Sequence, residues 1–226
     1  MSVQVEMFRR FIGKPAKDIY GRYVGYVVGI TLDSGGRLRS IGVDRGGIFE
    51  EFTRTQIMLD NETLILVPRW KVEAEKFKKE YGLTHSRFQA LDELLKNGEI
   101  PEYVYKELYE EYKSSMSKLE EAQKSLIETL TKKMEELDNH AKHLEKFLGY
   151  LKVQHKTGEM SDETYKMASE QLITGIEKTL QEKEDIERSL KSLTSPGDEL
   201  PSMDVPPTVK PSDETEKPII VHLQTD

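Results

Sequence analysis

Apolar positions fall into three regimes along the chain. Between residues 6 and 72 they gather into short runs at Val24–Leu32, Ser40–Asp44, Ile48–Phe52, Ile57–Leu59 and Thr63–Val67. The runs are rich in β-branched and aromatic residues, and Asp33-Ser34-Gly35-Gly36, Gly46-Gly47 and Asp60-Asn61 separate them with turn chemistry. Short strands at such spacing predict a compact antiparallel barrel over residues 1–72.

The pattern then lengthens. Between Tyr103 and His155 there is no proline, and Gly149 is the only glycine. From Met134 onward, through Leu137, Ala141, Leu144, Leu148 and Leu151, apolar steps alternate three and four. That is the heptad seam of a coiled coil, and these six residues are the expected self-association surface. Leu126, Leu130 and Met134 are spaced by four and four, which predicts local unwinding of the supercoil. A helix over 101–156 would be about 80 Å long at about 1.5 Å per residue.

An internal repeat shows where the rod turns back. Lys96-Asn97-Gly98-Glu99-Ile100-Pro101 and Lys156-Thr157-Gly158-Glu159-Met160-Ser161 stand in matching positions. Gly98 and Gly158 suit the left-handed residue that ends a helix, Pro101 a first-turn position, and Ser161 an N-cap. The helical region, 73–194, is thereby divided into helices at about 84–97, 101–156 and 161–193. The last carries an apolar seam of Tyr165, Ala168, Leu172, Ile176, Leu180, Leu190 and Leu193 that can pack on the second. The Met and Tyr residues of the rod read as packing.

Residues 195–216 are acidic and proline-rich, with too little apolar surface to fold, so a disordered linker is expected. The composition then reverses at Lys217-Pro218-Ile219-Ile220-Val221-His222-Leu223-Gln224-Thr225-Asp226. In a strand, Ile219, Val221 and Leu223 would share one face and Ile220, His222 and Gln224 the other. Such a tip can add to the open sheet edge of a partner.

Charge refines this picture. Residues 1–72 hold 11 Lys/Arg against 8 Asp/Glu, whereas residues 195–226 hold 2 against 7. Attraction to nucleic acid or an anionic membrane therefore belongs to the N-terminal region, with Arg9, Arg10, Lys14, Lys17 and Arg22 as candidate contacts. Absent cysteine excludes disulfides, thiolate nucleophiles and cysteine-ligated zinc. Glu136, His140 and His143 share helical spacing but fall on a solvated flank, so no metal is expected. No catalytic residue and no cofactor are predicted, because nothing pairs a nucleophile with a base. No apolar run reaches the roughly 18 residues needed to cross a bilayer, and Arg9 and Arg10 interrupt any signal-like segment. A cytoplasmic protein is expected.

The segment Phe11-Ile12-Gly13-Lys14-Pro15-Ala16-Lys17-Asp18-Ile19-Tyr20-Gly21-Arg22-Tyr23-Val24-Gly25 resembles the opening of PRC-barrel domains. With the rod, the acidic linker and the terminal peptide, the chain resembles the CdvA family of archaeal cell-division proteins. The resemblance implies filament formation, association with membrane or DNA, and a place at the division plane on the inner face of the cell membrane. It also implies recruitment of the ESCRT-III-like protein CdvB. There the C-terminal peptide completes a β-sheet in the partner's winged-helix domain, which maps here onto Lys217, Pro218, Ile219, Ile220, Val221, His222 and Leu223. A PRC-barrel protein associated with nucleic acid, in RNA maturation or chromosome organisation, is the alternative.

Overall fold

The computed structural model describes residues 3–60 and 62–195. A short helix, α1 (Val3–Arg9), precedes six strands: β1 (Pro15–Asp18), β2 (Tyr23–Leu32), β3 (Leu38–Asp44), β4 (Phe49–Thr53), β5 (Ile57–Asp60) and β6 (Thr63–Leu66). They form one sheet in the order β4-β3-β2-β1-β6-β5. Four of its pairings are antiparallel, and β1 runs parallel to β6. Phe52 on one edge strand and Ile57 on the other bury into the same core as Phe8, Phe11, Val27, Ile41, Val43 and Leu64. The sheet therefore curls on itself like a barrel, with its two edges meeting a common interior. In β2 the register shifts between Val27 and Gly29. That bulge lets Val27 and Ile30 both face the core and leaves Val28 outside. The sequence pattern did not reveal α1, which is barely two turns long; its Val5 and Phe8 are buried.

Three helices follow: α2 (Arg69–Lys96), α3 (Glu102–Lys156) and α4 (Asp162–Thr194). Helix α2 starts well before residue 84, so a domain boundary at 72/73 falls inside it. The reason is a stripe of Trp70, Ala74, Phe77 and Tyr81, all packed in the helical core, which carries the helix through Gly82. Both reversals repeat one set of hydrogen bonds. Gly98 N–H donates to Leu95 O and Glu99 N–H to Leu94 O; Gly158 donates to His155 O and Glu159 to Gln154 O. Gly98 and Gly158 take φ values of 69° and 79°. Ser161 caps α4 by accepting from Thr164 N–H, and Pro101 lies one position earlier than a first-turn residue, as the N-cap of α3.

The antiparallel neighbours of α3 divide its length. Helix α2 lies against its N-terminal part, where Phe88 packs edge-on to Tyr109 and Tyr112. Helix α4 lies against its C-terminal part, where Lys183 pairs with Asp138 at 2.6 Å and His155 stacks on Tyr165 at 4.1 Å. The two neighbours overlap in the middle. There Trp70, Ala74 and Phe77 of α2, Leu126, Leu130 and Leu137 of α3, and Ile186 and Leu193 of α4 form one three-helix core. Leu126 and Leu130, whose spacing departs from the heptad, lie where the third helix joins.

Leu180 is exposed, although the seam pattern placed it inside. Thr179, Glu182 and Ile186 are buried on α4 instead. Tyr103, Tyr150 and Met167 are likewise exposed, so these rod residues are not packing. Among the described residues, no helix is long and apolar enough to cross a membrane.

Candidate functional site

The start of α2 and the end of α4 meet in the three-helix core, through Trp70 and Leu193. The barrel, which leads into α2, and the chain beyond α4 therefore both leave the rod near its middle. The barrel also docks sideways on α4, through polar contacts. Arg22 Nε donates to Asp18 Oδ2 and its Nη2 to Glu182 Oε2, each at 2.5 Å. Lys178 Nζ donates to Gly21 O at 2.9 Å. Tyr20 Oη donates to Asp185 Oδ2 at 3.1 Å, and Lys71 and Arg188 also pair with Asp185.

The local sequence builds this joint. Asp18 accepts from the backbone N–H groups of Tyr20 and Arg22, and Gly21 takes a left-handed φ of 76°. The tight turn thereby presents Tyr20 and Arg22 side by side, with the guanidinium over the phenol ring at 5.1 Å. Burial, with the charges of Asp185 and Glu182, raises the Tyr20 phenol above its ordinary range, so it stays a donor. Burial opposes ionisation of Asp185, but Lys71, Tyr20 and Arg188 outweigh it and hold the carboxyl below its ordinary value. Beside the joint runs a groove of about 920 Å³, with Ile19, Met58, Val67 and Val72 along its apolar part and Lys76, Lys79 and Arg188 among its charges.

The candidate phosphate contacts do not all converge. Arg10 and Lys14 lie over the Phe11 ring, at 5.1 and 5.7 Å from its centroid, and Phe11 and Phe8 belong to the core. Arg9, exposed, pairs with Glu6, and Lys17 is exposed on β1. Arg22 stands apart, half-buried in the joint with two carboxylates.

Of the seam residues, Leu137 and Ala141 are buried within this one chain and Met134 packs against the same core. Leu144 reaches Gly175 of α4, where an added Cβ would lie 3.3 Å from its Cδ1. Leu148 and Leu151 are half-buried. Towards the α3–α4 reversal, Phe147, Tyr150 and Val153 of α3 and Met167 and Ile173 of α4 are all exposed. Glu136, His140 and His143 are exposed, and no group of three or more metal-ligating side chains occurs among the described residues.

A second exposed apolar surface, unannounced by the pattern, covers the outer face of β2 and β4. Tyr23 and Tyr26 pack edge to face at 5.6 Å. The Phe49 ring lies over Gly42, where a Cβ would approach it to 2.5 Å, with Val28 alongside. The one available signal was the run Ile48-Phe49 after Gly46-Gly47, two large apolar residues on a turn. Glu182 had a clearer signal, a carboxylate at a seam position between Thr179 and Ile186. The peptide residues Lys217, Pro218, Ile219, Ile220, Val221, His222 and Leu223 lie outside the described residues.

No solved structure matches the chain. It is 24% identical over 193 residues to Cell division protein A of Sulfolobus acidocaldarius, spanning 85% of this chain and 81% of that one. Residues 69–217 match the family model of the CdvA-like coiled-coil domain. That match takes in all three long helices and reaches Lys217, well over half of the sequence, and the chain belongs to the CdvA-like coiled-coil family.

Proposed function

We propose that this protein is a non-enzymatic cell-division scaffold that polymerises and recruits an ESCRT-III-like protein, CdvB, to the membrane at the division site. The observation that carries the cell-division role is the family match over residues 69–217, joined to a relative named Cell division protein A. The architecture supports the finer assignment. Barrel and tail leave the middle of the rod together, so a surface held by the barrel and a partner held by the tail would be brought close. The arms of the rod stay clear of that junction and are open to further copies. Self-association then falls to the outward residues Phe147, Tyr150, Val153, Met167 and Ile173, because the seam from Met134 to Leu151 already joins α3 to α4. Docking on membrane or DNA phosphates falls to Arg9, Arg10, Lys14 and Lys17, in the part of the chain with net positive charge.

Recruitment rests on the terminal peptide, whose alternating aliphatics suit strand addition to a winged-helix domain. Capture of the partner's winged-helix domain by the full chain, and its loss on removing residues 217–226, is the expected result. Equal capture by both chains rules the assignment out.

A further inference from the structure

Strand β4 forms an edge of the sheet: it pairs with β3 on one side and with no other described strand. Natural edge strands are usually guarded by charged side chains, proline or a bulge. Here the strand reads Phe49-Glu50-Glu51-Phe52-Thr53, pairs with β3 without a register shift, and is preceded by Ile48, 70% exposed; its two carboxylates are already engaged, Glu50 by Arg45 and Glu51 by the Ser40 hydroxyl. Phe49, 65% exposed, extends the edge into the apolar platform formed with Val28 and Tyr26 over Gly42. An edge whose carboxylates are engaged in this way and that continues into an apolar face is a template for one more strand. The other edge, β5, is four residues long, and its Met58 lines the groove shared with α2 and α4.

We infer that β4 is the resting dock of this chain's own C-terminal peptide, with Ile219–Leu223 added as a seventh strand that masks the peptide from its partner. Two observations select this occupant. The peptide has four aliphatics in five consecutive positions, a length matching the five of β4, with one face wholly aliphatic. The tail also begins beside the barrel, since α4 ends in the core that holds Trp70 and touches the barrel at Gly21, Tyr20 and Arg22. A coil from residue 195 to 216 spans roughly 25 Å, so the peptide meets the barrel at high effective concentration. The inference adds a regulatory state to the proposed recruitment site and uses that reading only for its consequence.

Hydrogen exchange of the full chain tests it directly. Amides over residues 48–53 should exchange about tenfold more slowly in the full chain than in Val221→Pro, which removes a donor and bends the added strand. Deleting 217–226 should match Val221→Pro. Equal rates in all three proteins overturn the inference. Protection that fades on about hundredfold dilution also overturns it, because the strand then comes from a second copy. Phe49→Glu, with exchange over 48–53 raised to the deletion level, should increase winged-helix affinity about tenfold, the same factor as the lost protection. The synthetic 217–226 peptide separates the two readings. If it fails to bind the winged-helix domain while β4 is protected, recruitment falls and self-docking stands; the reverse pattern removes self-docking alone.

Discussion

Arg22 Nη2 lies 2.5 Å from Glu182 Oε2, so that two residues 160 positions apart tie the barrel to the rod. The Glu182 side chain is 4% exposed and that of Arg22 is 32% exposed. Removing Arg22 leaves the buried Glu182 without this charge partner, whereas removing Glu182 leaves Arg22 paired with Asp18. Glu182→Ala and Arg22→Ala should each cost about 1–3 kcal/mol, the lower figure reflecting the access of Arg22 to water. The double variant Arg22→Met with Glu182→Leu should lose less than the two single losses together. Trp70, the only tryptophan, stands beside Lys71 at the junction and reports the transition. Strictly additive losses in its fluorescence-monitored melting would remove the coupling.

Acid should loosen the same joint through Asp185. Its carboxyl is held below the ordinary 3.8 in the folded chain, because Lys71, Tyr20 and Arg188 outweigh the opposing effect of burial. A depressed carboxylate contributes stability that is complete above its unfolded value and lost as pH falls through the folded one. Stability should therefore fall below about pH 4, and the acid-dependent part should shrink in Asp185→Asn. Denaturant titrations at neutral pH and near pH 3 check this, and an unchanged pH slope in the variant contradicts it.

The rod surface separates folding from assembly. Leu137 is buried among α2, α3 and α4, so Leu137→Ala should cost about 2–5 kcal/mol and lower helix stability. Phe147 is 63% exposed and Tyr150 56%, on the face that packing leaves open. Phe147→Lys with Tyr150→Lys should reduce assembly size in sedimentation at unchanged melting temperature. A double variant that sediments like the parent moves self-association elsewhere.

Two glycines of α3 and its reversal should respond in opposite directions. Gly158 has a φ of 79°, so Gly158→Ala forces a side chain into a left-handed backbone and should cost about 1–2 kcal/mol. Gly149 lies inside α3 with nothing within 4 Å of an added Cβ. Gly149→Ala should stabilise by about 0.5–1 kcal/mol, read from thermal melting by circular dichroism.

The sequence was most legible where one rule acts locally. Gly98 and Gly158 mark reversals because few other residues take that backbone, and Ser161 caps because its hydroxyl reaches Thr164 N–H. Strand runs around Val27 and Ile41 were visible because burial imposes composition on them. The start of α2 was not, because Gly82 breaks a stripe that tertiary packing of Trp70 and Phe77 sustains. The seam from Met134 to Leu151 announced a partner helix without saying whether it belonged to the same chain. Nor could spacing find the joint: Tyr20 and Arg22 meet Asp185 and Glu182 only after the rod has folded back. The surface of Tyr26, Val28 and Phe49 was hidden because cross-strand register brings it together: Tyr26 and Phe49 both pair with Asp44 of the strand between them.

Phosphate docking should follow the split among the basic residues. Arg10 and Lys14 both lie over the Phe11 ring, and Lys17 is exposed on the following strand. Arg22, by contrast, spends its guanidinium on Asp18 and Glu182 within the joint. Reversing Arg10 and Lys14 to Glu should therefore weaken binding to vesicles containing phosphatidylserine, and to duplex DNA, by about tenfold at low salt. The effect should diminish as added salt screens both surfaces. Arg22→Glu should act differently, placing a third carboxylate against Asp18 and Glu182 and opening the joint, which Trp70 fluorescence would register. Co-sedimentation with vesicles over a salt series, alongside the fluorescence melt, separates the two. If Arg22→Glu alone abolished vesicle binding while the joint melted normally, the phosphate contact would lie at Arg22 and the split would be wrong.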